Sequence, residues 1–233
     1  MQDNLLDTSM LALQLLFSFD ADLWNIIGVS FRVSITAIAI ATVPAILVGF
    51  LLAMCDFKGR SLVIALFNAL MAVPTVVVGL TLYLMLSRSG PFGDLHLLFT
   101  QPAMIIGQVM LAFPLLVCMS HSAFQAVDRR AWETARTLGA GYTFSIITIM
   151  REARFALLAV VVAGFGRIIS EVGCSMMVGG NIMGYTRNIP TAIALETSKG
   201  MFAQGVALGL VLLVLALFLN FTLASVRGKG QAV

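Results

Sequence analysis

Two opposite charges stand four positions apart in an otherwise uncharged stretch, Arg167 and Glu171, within a run from Phe155 to about Met177. At that spacing a guanidinium and a carboxylate share one helix face and reach each other. Two chemistries are open to such a pair. It can be an internal ion pair that holds a helix in an interface. It can also line an anion path, where Arg167 presents the planar N–H fork that fits oxyanions and Glu171 orients it. Arg32, followed by Ser34 and Thr36, offers donors of the same kind and either snorkels to an interface or attracts arriving anions. Arg187 lies in a run with Gly179, Gly180, Asn181, Gly184, Thr186 and Asn188, either a surface loop or part of an outer gate with its charge toward anions. No catalytic constellation accompanies these donors. His96 and His121 stand alone, Cys55, Cys118 and Cys174 are far apart, and no Gly-x-x-x-x-Gly-Lys-Ser/Thr phosphate loop occurs. No metal, cofactor or nucleotide chemistry is expected on this chain.

The elements that carry these residues belong in a membrane. Of 233 residues, 60% are hydrophobic and 11% charged, and the mean hydropathy is +1.00. A water-facing surface cannot be built from that composition. A β-barrel is excluded because the apolar runs do not alternate with polar residues. Uncharged stretches at 33–54, 61–87, 97–127 and 200–226, with an interrupted one beginning at Phe155, predict five transmembrane helices in one all-α domain spanning 1–233. Pro44 and Pro74 predict kinks in the first two spans, Gln101-Pro102 the start of the third, and Gly179-Gly180 a break after the fourth. The net charge of +3, without a basic cluster, excludes a nucleic-acid surface.

Loop charges set the expected orientation. Lys58, Arg60, Arg129, Arg130, Arg136, Arg151, Arg154, Arg227 and Lys229 share one side, against Arg88, Arg187 and Lys199 on the other. The richer side is expected in the cytoplasm, with the N-terminus outside and the C-terminus inside. Residues 1–25 read as an outer leader helix, not a signal peptide, since Asp3 and Asp7 stand where basic residues would. Residues 178–200 form an outer segment and residues 122–154 a cytoplasmic one. In the latter, Asp128 can cap a helix with Ala131, Trp132, Ala135, Leu138 and Tyr142 near one face, and a second short helix can run through Phe144, Ile146, Ile147 and Ile149. A short helix pair with one apolar face suits docking to a soluble partner.

That segment resembles the cytoplasmic signature of importer-type ABC permeases. Glu133, Thr134 and Ala135, then Gly139 after three intervening residues, then Ile149 after nine more, match the pattern E-A-A, three residues, G, nine residues, I. Thr134 replaces an alanine, and Arg151-Glu152 replaces the closing Leu-Pro. The stretch from Arg151 to Gly200, with its Gly164-Phe165-Gly166-Arg167, Glu171-Val172-Gly173 and Val178-Gly179-Gly180-Asn181-Ile182 runs, resembles permeases for tetrahedral oxyanions, most of all the tungstate branch. The resemblance implies a type I ABC importer permease fold working as a homodimer in the cytoplasmic membrane. It also implies a pair of cytoplasmic ATPase subunits, an external oxyanion-binding protein, and a coupling role for Glu133, Thr134, Ala135, Arg136, Gly139 and Ile149. Molybdate and sulfate stand as alternative anions. A secondary transporter is the competing class, though no inverted repeat supports it. A haem or cluster protein would need more histidines or cysteines than the chain has.

Overall fold

The computed structural model describes residues 14, 17, 18, 20–127, 137 and 141–231. The first helix, α1 (Ala21–Met54), starts where the Asp20 side chain accepts the Leu23 N–H at 2.9 Å. Its 34 residues extend about 51 Å, more than the roughly 30 Å of hydrocarbon, and the helix passes through Pro44 without a break. At its other end Arg60 folds back: Nε donates to the Leu52 carbonyl at 2.6 Å, Nη2 to Ala53 at 3.4 Å, and Nη1 pairs with Asp56 at 2.8 Å. One guanidinium thus meets carbonyls that a helix terminus leaves unpaired.

The second span is two helices, α2 (Arg60–Met71) and α3 (Thr75–Leu86), bent by 92°. Proline has no N–H, its ring obstructs the preceding turn, and it drives the residue before it from helical geometry. Pro74 therefore ends one helix and starts the next, its carbonyl accepting Val77 N–H at 2.9 Å and Val78 N–H at 3.2 Å. The kink expected at Pro74 is a right-angle break, whereas none interrupts α1 at Pro44.

After a short 3₁₀ turn (Gly93–Leu95), α4 (Gln101–Gln125) begins with Thr100 as N-cap and Pro102 in its first turn, as expected. Then come α5 (Tyr142–Glu152), α6 (Arg154–Ile169), α7 (Gly173–Gly179), α8 (Ile189–Ser198) and α9 (Phe202–Gln231). Helices α6 and α7 form a second bent pair, at 60°. With each bent pair counted as one crossing, α1, α4 and α9 bring the total to the five expected spans. All the described elements are helical.

The structure moves the expected break in the fourth span and decides between the two readings left open for the 178–200 segment. The break falls at residues 170–172, not at Gly179-Gly180; α7 continues to Gly179, and Gly180, with φ +67°, is its left-handed C-cap. Much of the 178–200 segment is packed rather than surface loop, with α8 inside it and Thr186, Asn188, Ile189, Thr191 and Ala192 buried. The second short helix expected in the 122–154 segment is present as α5. Glu133, Thr134, Ala135, Arg136 and Gly139 lie outside the described residues, as does most of the leader before Asp20.

The centre of the molecule is the crossing of α1 and α4. Ala37, Ala41 and Ala45 of α1 pack against Ala112, Leu116 and Val117 of α4. Small residues are what permit close helix approach in a membrane, where apolar burial supplies no drive. At Gly49 the approach is closest: a Cβ there would lie 2.7 Å from Ser120 Cβ and 2.9 Å from His121 N. Towards one end, Phe50, Ala53, Phe124, Ile149, Ala153 and Leu157 tie α5 to this pair, with Phe50 and Phe124 edge to face at 5.2 Å. Towards the other, Leu23, Ile27, Ile189, Ala192, Ala207 and Leu208 join α1, α8 and α9.

Gly49→Val should therefore destabilise the protein by about 1–3 kcal/mol, since the new side chain meets backbone that cannot move aside cheaply. Gly28→Ala, at a position with nothing within 4 Å of the added Cβ, should not. Thermal midpoints of the purified protein in detergent should fall for the first variant and hold for the second.

Candidate functional site: the junction of two broken spans

The two breaks meet. A Cβ at Gly79 of α3 would lie 2.8 Å from the Cα of Cys174, and one at Gly173 would lie 2.7 Å from Val76 Cγ2 and 3.2 Å from Thr75 Oγ1. The first turns of α3 and α7 are thus in direct contact, each just after a helix break. Hydrocarbon offers a broken helix no hydrogen bonds, so the freed backbone groups must find partners within the protein.

Glu171 and its neighbours supply them. Its Oε1 accepts the Cys174 N–H at 3.3 Å, and its Oε2 accepts Arg167 Nη1 at 3.1 Å. The Ser170 hydroxyl reaches the Gly166 and Arg167 carbonyls at 3.3 and 3.1 Å, and Gln108 Nε2 reaches the Ile168 carbonyl at 3.4 Å. Helix α6 ends at Ile169, so Arg167 and Glu171 do not share a continuous helix face; their contact bridges the break. The pair is asymmetric. The Glu171 side chain is 5% exposed and that of Arg167 is 54% exposed. Arg167 makes no other side-chain hydrogen bond among the described residues, leaving most of its five N–H donors open.

The other two cations selected from the sequence for an anion path, Arg32 and Arg187, are elsewhere. Arg32 is exposed on α1, about 33 Å along the helix from Met54, a distance that fits one edge of a hydrocarbon layer if the other lies near Met54. Its neighbours do not extend it into a donor cluster, because Thr36 Oγ1 bonds back to the Arg32 carbonyl at 2.7 Å and Ser34 is buried. Arg187 is turned inward, its side chain 13% exposed, with Nη1 3.9 Å from Glu196 Oε1 and Nη2 3.5 Å from the Asn181 carbonyl. Lys199 Nζ also meets Glu196 Oε1, at 3.1 Å.

Asn188, read only as one of a donor-rich run, is joined by Thr191 and Ser30, which the sequence reading did not single out, in holding the 178–200 segment. Asn188 and Thr191 cap each other's backbone N–H groups at the start of α8, and Ser30 Oγ accepts the Ile189 N–H at 2.7 Å, fastening α8 to α1. The Asn-Ile-Pro-Thr order at 188–191 is a legible helix start. Nothing local marks Ser30, whose partner lies 159 positions away. At the opposite end Ile149 is 1% exposed, so it anchors α5, and the exposed large apolar residues of that helix are Phe144, Ile146 and Ile147. The three cysteines are free thiols, and among the described residues no His, Cys, Asp and Glu group could hold a metal.

Residues 45–226 match the family described as the binding-protein-dependent transport system inner membrane component. The chain belongs to that family. The tungstate uptake system permease protein TupB of Peptoclostridium acidaminophilum is 42% identical over 93% of this chain and 95% of its own length. The protein of the same name from Campylobacter jejuni is 38% identical over 94% and 92%. The molybdenum transport system permease protein ModB of Escherichia coli is 30% identical over 73% and 78%. A chain of the MetNI methionine ABC transporter, in an inward facing conformation, shares the fold with a TM-score of 0.57 at 15% identity, covering 91% of this chain and 92% of that one. The protein is accordingly an all-α, multi-pass ABC importer permease and a transport subunit rather than an enzyme; the ATPase is a separate chain.

The asymmetry of the Arg167–Glu171 pair sets the order of three variants. Arg167→Ala leaves a buried carboxylate with one backbone partner, whereas Glu171→Ala leaves a cation that is already half solvated. Arg167→Ala should therefore lower the thermal midpoint and membrane yield more than Glu171→Ala, and more than the double change. Equal losses in all three would remove the pair from the stability of the fold.

Proposed function

We propose that the chain is the translocating subunit of an ATP-driven importer for tungstate, delivered by an external binding protein. What carries this reading is an arginine with open donors at the junction of two broken spans, in a chain 42% and 38% identical to two tungstate permeases. A guanidinium fork matches the paired oxygens of a tetrahedral dianion, and a broken span in a membrane belongs beside a cavity or against protein. Arg167 is the wall residue of the path and Glu171 its orienting partner. Arg32 is an outer attractor for anions at the membrane edge, and Arg187 is a gate residue of a structural kind, clamping the outer segment through Glu196.

The working unit is a homodimer. Helix α2 buries none of its residues within the chain, and Leu62, Leu66 and Leu70 along it are exposed. Five spans with such an unpartnered helix need lipid or a second copy against them, and the two copies together enclose the path. The excess of lysine and arginine at the Arg60, Arg151 and Arg154 end supports a cytoplasmic location for it, with the N-terminus outside. The ATPase docks there, on the segment with Glu133, Thr134, Ala135, Arg136 and Gly139 and on the exposed Phe144, Ile146 and Ile147 of α5, while Ile149 links that surface to α1 and α4.

Elemental analysis of cells with and without this gene, grown in trace tungstate, molybdate and sulfate, tests the substrate. Selective loss of cellular tungsten is expected in its absence. Loss of molybdenum or sulfur instead would keep the importer and change its anion, and no change in the three would reject an oxyanion of this class.

A further inference from the structure

Glu171 holds two partners on opposite sides of a hinge. Arg167 belongs to α6, before the break, while the Cys174 N–H belongs to α7, after it. Helix α7 is locked to α3 at the close contacts of Gly79 and Gly173, so α3 and α7 have no room to move independently there. Glu171 sits in the break itself, its N–H on the Ile168 carbonyl of α6 at 3.1 Å, so a change in the 60° bend between α6 and α7 works on the two carboxylate bonds, one to each helix, against each other. The carboxylate can give up Arg167 and keep a backbone partner. The guanidinium, half exposed and bonded once, can give up Glu171 and take another oxyanion.

We propose that Glu171 is a built-in competitor for the anion at Arg167: carboxylate and transported oxyanion exchange on one guanidinium as the span bends, so that Arg167 binds the anion weakly enough to release it. This rests on the reading of Arg167 as a path residue. Conduction requires a site attractive enough to enter and poor enough to leave, and an isolated arginine facing a dianion in a low-dielectric passage meets only the first requirement. A carboxylate tethered within hydrogen-bond reach supplies the second. It offers the same oxygen geometry as the anion and repels it once displaced. Glu171 is in this sense a positioning residue, acting on the anion through Arg167.

The test uses the assembled transporter, with its ATPase, in lipid vesicles and radiolabelled tungstate as probe. Glu171→Gln keeps the shape and the acceptor for the Cys174 N–H and removes the competing charge. It should retain at least tenfold more tungstate on the protein than the parent, and lower both the KM and the maximal rate of uptake by a similar factor. Glu171→Asp, with the carboxylate drawn back by one methylene, should shift both in the same direction by less, and serves if the glutamine variant does not assemble. Arg167→Gln should retain no tungstate and transport poorly. A lower maximal rate with unchanged KM and unchanged retention in the glutamine variant would make Glu171 a structural cap only and overturn the exchange. Normal uptake by Arg167→Gln would instead reject the path reading on which it rests.

Discussion

Inside a bilayer no water replaces a lost backbone hydrogen bond, and that constraint governs where this chain can bend. Both of its broken spans are costly unless protein covers the breaks. The chain brings the two breaks together and covers one with the other. Pro74 ends α2 and starts α3 with its own carbonyl. Ser170 and Glu171 occupy the backbone groups around the second break, and Gln108 adds a bond from α4. The ion pair at this point is thus part of the same covering as the hydroxyl and amide bonds, and the one charge it leaves half exposed is the cation.

Close contact between the breaks depends on residues without side chains. At Gly79 and Gly173 an added Cβ would overlap Cys174 and Val76, and at Gly107 it would overlap the Cys174 sulfur. The central crossing of α1 and α4 uses Gly49 and a row of alanines in the same way. Charge and hydrogen bonding take over towards the end that carries α8, where Ser30, Asn188, Thr191, Arg187 and Glu196 hold that helix in place. The protein is thus fastened by polar contacts around α8 and by van der Waals contact at its centre.

Composition and the length of the apolar runs made the fold class and the number of spans legible, because a bilayer imposes both on the sequence directly. Pro74, Pro102 and the pairing of Arg167 with Glu171 could also be read locally. The position of the second break could not. Gly179-Gly180 looked the natural stop, yet Gly180 only caps α7, and the break at residues 170–172 is made by Glu171 accepting a backbone N–H three positions on. The inward turn of Arg187 was hidden for a related reason: Glu196 lies on the next helix, and nothing in spacing tells a buried pair from two exposed charges. Ser30 and the contact of Gly79 with Cys174 join residues far apart in sequence, and a pattern over adjacent positions carries no trace of them.

Central to this mechanism is the proposal that the junction of α3 and α7, with Arg167 beside it, lines the anion path. Val76 sits there, 49% exposed and touching Gly173, and can report on it as a single cysteine once the three native thiols are replaced. The rate at which Val76→Cys reacts with a charged, membrane-impermeant thiol reagent, added from either face of vesicles with and without trapped nucleotide on the ATPase, is the most direct measurement. A junction that lines a path open to the two faces in turn predicts reaction from one face in one state and from the opposite face in the other. Equal rates from both faces in both states, or reaction with lipid-soluble reagents alone, would contradict it.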